Sequence, residues 1–313
     1  MERQTTTSTA TPRPTTERRV TFESGGEALV GVLHLPSDRQ ADEQLPAVPI
    51  LGPMTFVKEQ APTEYARRFA ERGFAALAFD PRYRGESAGE PRTYENPDAK
   101  VEDARAAADF LASLPEVDAD RVVAFAVCQG SSEMVRAAAD HDRIRALVTV
   151  AGHYRSPESD VEWMGNDEAL AERRQRGEAA KAKFESSGEV DFVPAVDAER
   201  MDVGMPGKFV YDWYQPWADR GVWENRYAVM SDADLLAYES KSAAERLDKP
   251  YLMIHSDNCF LPNAARRHFD AVPTEDKRLQ WEGEDQHFQF YDDPAVLDRT
   301  ADQAAEWFYT YLR

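Results

Sequence analysis

The run Ala126-Val127-Cys128-Gln129-Gly130 constrains this chain more than any other stretch. The residues before it, 121–125, form an apolar run that predicts a buried strand, and residues 131–139 predict a helix. A strand turning sharply into a helix, with a nucleophile at the turn and a small residue two positions to either side, is the nucleophile-elbow pattern. Here the small residues are Ala126 and Gly130 and the nucleophile is Cys128. A helix N-terminus offers free N–H groups and partial positive charge, which favour thiolate over thiol. The pattern therefore predicts an activated Cys128. The competing reading is a structural cysteine, because free cysteine is among the most buried residue types. The strand–cysteine–helix context favours the nucleophile.

The rest of the chain supplies the sheet such an elbow needs. Residues 19–24 and 28–35 flank Gly25-Gly26 and predict a hairpin. Apolar runs at 46–51, 74–79, 144–151 and 251–255 predict buried strands, with a further strand at 277–281. Helical patterns lie at 62–72, 101–114 and 294–312. Apolar strands alternating with helices predict an α/β fold with a mainly parallel sheet covered on both faces.

The expected organisation is a disordered tail over residues 1–17, rich in Thr, Ser and Pro, then a core over 18–152 and 249–313. Residues 153–248 break the rhythm and predict a mainly helical cap inserted between two core strands. That interval carries Trp163, Trp213, Trp217 and Trp223. Some of these rings must form the insertion's own core. Trp213, Tyr214 and Trp217 are the candidates to face an apolar or aromatic substrate, with His153 at the start of the cap beside them.

Composition narrows the function classes. A net charge of -20 argues against nucleic acid or an anionic membrane as partner. No run approaches the roughly 20 apolar residues of a membrane-spanning helix, and the N-terminus lacks an apolar secretory segment. Two cysteines far apart make no disulfide framework, which fits a reducing cytoplasm. The expected partner is a small molecule, and a homo-oligomer is compatible with everything in the sequence.

A thiol nucleophile needs a base, and the base needs an orienting group. His287, between the last strand and the last helix, is the candidate base. Asp257, in the loop after strand 251–255, is the candidate acid, with its neighbour Asn258 as an alternative and Asp285 a weaker one. The oxyanion of acyl transfer needs preorganised donors. The Gln129 N–H is one. The second comes from the loop Gly52-Pro53-Met54-Thr55, where proline has no N–H and Met54 or Thr55 must donate. Arg82 and Arg84 stand at the end of strand 74–79. Arg82 and Arg84 are candidates to bind a substrate carboxylate, although holding the following loop through Asp80, Glu86 or Glu90 is the simpler role. Cys259 near Cys128 would allow a redox pair or a metal site, but no close Cys spacing supports either.

Taken together, these residues resemble the dienelactone-hydrolase-like branch of the α/β-hydrolase superfamily. The likeness is carried by Gly52-Pro53-Met54 with Lys58-Glu59-Gln60, by Phe79-Asp80-Pro81-Arg82-Tyr83-Arg84-Gly85-Glu86-Ser87, by the elbow, by His255-Ser256-Asp257, and by His287-Phe288-Gln289-Phe290-Tyr291. The resemblance implies the α/β-hydrolase fold and a Cys128–His287–Asp257 triad. It implies cofactor-free cleavage of an ester, lactone or thioester through an acyl-enzyme. Two departures stand out: Ala126 replaces the usual glycine, and Gln129-Gly130-Ser131-Ser132 is unusually polar. They leave open acyl transfer or cyclisation on the same scaffold, and a non-catalytic ligand-binding member.

Overall fold

The computed structural model describes residues 12–312. Its centre is an eight-stranded sheet. Strands β1 (Thr15–Ser24) and β2 (Glu27–Pro36) form the N-terminal hairpin, followed by β3 (Leu45–Leu51), β4 (Ala75–Phe79), β5 (Val117–Val127) and β6 (Ile144–Val150). The cap holds four two-residue strands, β7 (Phe192–Val193), β8 (Val196–Asp197), β9 (Met205–Pro206) and β10 (Tyr227–Ala228). Then β11 (Tyr251–His255) and β12 (Lys277–Trp281) complete the main sheet. The order is β1-β2-β4-β3-β5-β6-β11-β12, with the β1–β2 and β2–β4 pairs antiparallel and every later pair parallel. The doubly covered, mainly parallel sheet is the α/β-hydrolase fold.

Strand β5 shows why its sequence reads as an unbroken apolar run. Val122, Ala124 and Ala126 enter one hydrophobic core, while Val123, Phe125 and Val127 enter the other. Alternate side chains thus face opposite layers of helices, and neither face meets water. The first core packs under α2 (Pro97–Ala112) and α3 (Gly130–Ala139). The second packs under α1 (Ala61–Glu71) and the C-terminal α11 (Pro294–Tyr311). In that second core Phe125 meets Tyr65 and Phe69 at ring distances of 4.5 and 5.0 Å. Burying a side chain of this size stabilises the fold by about 1.5–3 kcal/mol.

Three expectations shift at their edges. The tail call falls largely on residues 1–11, outside the described residues, but residues 15–17 belong to β1, paired with Leu35, Pro36 and His34 of β2. Helix α2 begins at Pro97 rather than at residue 101, because Asn96 caps it by accepting the Ala99 N–H at 2.9 Å and proline suits the first turn. Strand β5 likewise starts four residues earlier than residue 121, at Val117.

Between β6 and β11 the chain builds the cap: α4 (Pro157–Met164), α5 (Asp167–Ser187), α6 (Lys208–Asp219), α7 (Ser231–Leu235) and α8 (Lys241–Ala244), with the four short strands among them. Two short helices follow β11 and β12 respectively, α9 (Pro262–Ala271) and α10 (Gln289–Asp292). The cap's apolar side includes Tyr214, Trp223 and Tyr227 and closes over Met54 and Val57 of the main body. Among the described residues no helix is long and apolar enough to cross a membrane.

Candidate active site

The elbow places Cys128 where β5 ends and α3 begins. Its φ of +53° lies in the left-handed region, which costs a non-glycine residue free energy and lifts the side chain out of the sheet's end. The backbone is pinned on both sides: Cys128 N–H donates to Val150 O at 3.0 Å, and His153 N–H donates to Cys128 O at 3.0 Å. Gly130 is required because its N–H reaches Gly52 O at 3.1 Å, and a Cβ there would sit 2.4 Å from that oxygen. The methyl of Ala126, two residues before the nucleophile, is fully buried and accommodated in the first core.

Cys128 opens onto a narrow cavity of about 70 Å³ lined by Met54, His153, Trp163, Tyr214, His287 and Tyr291, among others. The thiol faces the Tyr291 hydroxyl and the backbone amides of Gln129 and Met54, all of which favour its anion. Burial is the larger effect and raises the thiol pKa above its ordinary value. The expected thiolate is therefore not the resting state: the helix N-terminus does not offset removal from water.

Met54, not Thr55, supplies the second amide. Thr55 N–H is already committed to Glu95 Oε1 at 3.1 Å, and Glu95 is held by Lys100 and by Arg84 Nε at 3.3 Å. The cap grips this loop from outside. Tyr214 donates its hydroxyl to Met54 O at 2.8 Å, and Trp223 donates its Nε1–H to Thr55 O at 2.6 Å. Both bonds hold carbonyls away from the thiol and leave the Met54 N–H aimed at it. Behind the elbow, Gln129 donates its amide to Glu133 and accepts from Arg155 Nε, each at 2.9 Å, and Arg155 pairs with Asp160 at 2.8 Å. Glu133 is buried, and burial pushes its carboxyl up to about 7.

His287 lies on the loop between β12 and α10, buried, with Nε2 2.8 Å from the Tyr291 hydroxyl. Its Nδ1 accepts the Phe260 backbone N–H at 3.3 Å. A donor at Nδ1 assigns the ring proton to Nε2, so His287 donates to Tyr291. Burial, with His255 nearby, lowers its pKa to about 3, so the ring is neutral at ordinary pH.

The structure does not bring Asp257 to His287. The Asp257 side chain is 67% exposed and pairs with Arg266 at 3.1 Å. The expectation of an orienting carboxylate is thus corrected: the loop after β11 turns its backbone, through Phe260, toward the ring and its carboxylate toward solvent. Asn258 donates its side-chain amide to Glu284 O, and Asp285 pairs with Arg299. Neither takes the acid's place.

The remaining candidates divide. Tyr214 and His153 line the cavity with Cys128. Trp213 and Trp217 do not. Trp213 stacks on cavity-lining Phe288 with a ring separation of 5.2 Å and donates to Asp292, while Trp217 carries Arg220 on its face. The amphipathic α6 turns Tyr214 inward and the two indoles aside: Trp217 packs against the cap's apolar side, and Trp213 packs between the cap and the Phe288–Asp292 segment of the main body. Arg84 faces a separate cleft and holds Glu95, a structural role. Cys259 is buried, its pKa pushed up to about 12 by burial, and it accepts from Ser256 at 3.3 Å. Among the described residues no cluster of three or more His, Cys, Asp or Glu is placed to hold a metal.

Several lining residues escaped sequence reasoning, Tyr291 and Trp163 among them. Tyr291 stands four residues after His287, the spacing that stacks side chains over one helical turn, and that was its available signal. Trp163 lines the cavity from α4, between the guanidinium groups of Arg155 and Arg173 at 5.0 and 4.6 Å from its ring. No local signal separated it from the cap's other tryptophans.

Comparison with known proteins agrees with this architecture. Residues 3–156 match the model of the FrsA-like esterase family. A 133-residue stretch is 45% identical to the uncharacterized protein PA2218 of Pseudomonas aeruginosa, covering 42% of this chain and 36% of that one. The matched stretch therefore spans about a third of that relative's length. The crystal structure of PA2218 superposes with a TM-score of 0.81 at 27% identity, over 99% of both chains. The uncharacterized protein YcjY of Escherichia coli is 27% identical over 90% of this chain and 94% of its own. A protein named thiohydrolase from Eupenicillium brefeldianum is 28% identical over 74% of this chain and 76% of its own. With the sheet order and the elbow, these likenesses make the chain a member of the α/β-hydrolase superfamily and an enzyme of the class that acts on ester-type bonds.

Proposed function

We propose that the chain cleaves thioesters, and esters with comparably good leaving groups, through an acyl-enzyme on Cys128. The observation that carries this is the thiol's setting: a cysteine at a strained elbow, facing two backbone amides and one tyrosine hydroxyl in an apolar cavity. The amides of Gln129 and Met54 are placed for an oxyanion. The Tyr291 hydroxyl is placed to relay protons.

In acylation the Cys128 sulfur forms a bond to the acyl carbon. The thiol proton passes to the Tyr291 oxygen as Tyr291 passes its own proton to the departing sulfur, and the old thioester bond breaks. In deacylation a water attacks, gives its proton to Tyr291, and Tyr291 returns one to Cys128. His287 steadies Tyr291 through Nε2–H and strengthens it as a donor. The relay leaves net charge unchanged on Tyr291, which suits a site with a neutral imidazole and no carboxylate on it. Exchange of one thiol for another is close to balanced, so a weakly basic site suffices, whereas an alkoxide leaving group demands more. The similarity to a protein named thiohydrolase supports the same class.

The cavity is small, about 70 Å³, which favours a short acyl group or the first atoms of a longer one. Because it is enclosed mainly by rings, a hydroxyl or amine carried by the substrate can replace water, giving transfer or cyclisation instead of hydrolysis. Turnover of a matched series of thioester, aryl ester, lactone and alkyl ester tests the proposal, with product mass separating hydrolysis from transfer. Thioester and aryl ester should be cleaved and the alkyl ester spared. An alkyl ester cleaved as fast as its thioester would overturn the leaving-group argument.

A further inference from the structure

His153 is the polar group of the cavity that the steps above leave unused. It lines the same space as Cys128 and is buried, and its Nε2 has no hydrogen-bond partner. A buried polar atom without a partner is a cost that a fold normally removes. Here the surroundings hold the ring rather than satisfy it. Its backbone is locked to the elbow, with the N–H on Cys128 O and the carbonyl accepting the Ser132 hydroxyl at 2.8 Å. Its ring packs edge-to-face on two further lining side chains, Phe260 at 5.1 Å and Trp163 at 5.9 Å. Trp163 is itself fixed between Arg155 and Arg173. Burial and the nearby Arg155 keep the imidazole neutral, so it always carries one N–H donor and one lone pair.

We propose that His153 is a specificity-determining residue for acyl groups bearing an oxygen, a hydroxyl or keto group close to the thioester, which completes the missing hydrogen bond. The oxygen is recognised by the imidazole, and the carbon chain by Trp163, Phe260 and Phe288. An unsubstituted acyl group leaves the nitrogen unpaired, and sites built to bond a substrate oxygen discriminate strongly against analogues lacking it. This rests on the reading of Cys128 as the acylated residue only for the orientation of the acyl chain.

The test uses N-acetylcysteamine thioesters of butanoate, β-hydroxybutanoate and acetoacetate. Binding is measured by calorimetry in the full chain carrying Cys128→Ala, so that recognition is read without chemistry. The oxygenated thioesters should bind roughly 10- to 100-fold more tightly than butanoyl. Adding His153→Phe, which keeps a ring against Trp163 and Phe260, should abolish that difference, while His153→Gln should restore part of it. Equal binding of the three thioesters, or a preference that survives His153→Phe, overturns the proposal. Intact mass of the parent enzyme with the same thioesters reads the Cys128 assignment separately. An adduct without oxygen preference would sink only the His153 role, and a preference without an adduct would sink only the acyl-enzyme.

Discussion

Nε2 of His287 lies 2.8 Å from the hydroxyl of Tyr291, and that hydroxyl faces the Cys128 thiol. The tyrosine thus occupies the position between nucleophile and imidazole, where a direct thiol–imidazole contact was expected. Tyr291→Phe removes one oxygen and keeps the ring that packs against Trp213 and Phe288. The kcat/KM for a thioester should fall about 100-fold or more, within the range of lost proton-transfer catalysis, with little change in Tm. A variant at the parent's rate would exclude the relay.

The pH profile follows from burial. Cys128 is pushed up and His287 is pushed down to about 3, so neither titrates near neutrality. With the Glu133 carboxyl, which sits near 7 behind the elbow, removed as Glu133→Gln, kcat/KM should be level between about pH 5 and 8, without a break near the ordinary histidine value of roughly 6.5. A break there in that variant would show that His287 works as a charged partner. Alkylation of Cys128 should likewise be slow at neutral pH and climb only above the ordinary thiol range.

Asp257→Asn should leave kcat/KM within about twofold, because an exposed carboxylate paired to Arg266 contributes little to a buried ring. A loss of about 1000-fold, the scale of removing a triad acid, would mean that the loop rearranges to bring Asp257 onto His287.

How much of this was legible depended on how local each cause was. The elbow and β11 could be read because an apolar run and a small–x–Cys–x–small turn are local patterns. The limits of β11 and β12 match residue for residue. Asn96 and Pro97 carried a readable start signal for α2 that the apolar pattern alone missed. The orientation of Asp257 was not readable. It depends on whether the loop after β11 presents a side chain or the Phe260 N–H to a histidine 27 residues further along. Nor does sequence state that burial outweighs the helix N-terminus at Cys128, since that balance is a property of the closed cavity. The choice between Met54 and Thr55 likewise turned on Glu95, a distant residue that captures the Thr55 N–H.

Stability should depend on pH in two opposed ways. His255, His268 and His287 are lowered by burial to about 4, 3 and 3. Their folded values lie below the unfolded one, so their contribution is complete above roughly pH 6.5 and is lost as pH falls toward 3–4, up to about 1.4 kcal/mol per unit for each ring. Glu133, raised to about 7, acts oppositely: its contribution is complete below its unfolded value and is lost as pH rises through 7. Urea melts should therefore show Glu133→Gln gaining about 1–3 kcal/mol over the parent at about pH 8 and little at about pH 5. An equal gain at both would mean that Glu133 is not protonated in the native state.

The central claim is a covalent intermediate on one named sulfur. Rapid acid quench of the enzyme with an acyl thioester, followed by intact mass and peptide mapping, reads it directly. A single addition of the acyl mass should appear on the peptide containing Cys128, reach its maximum before steady state, and vanish in Cys128→Ala together with turnover. Turnover that persists in Cys128→Ala, or an adduct that maps to Cys259, would contradict the account.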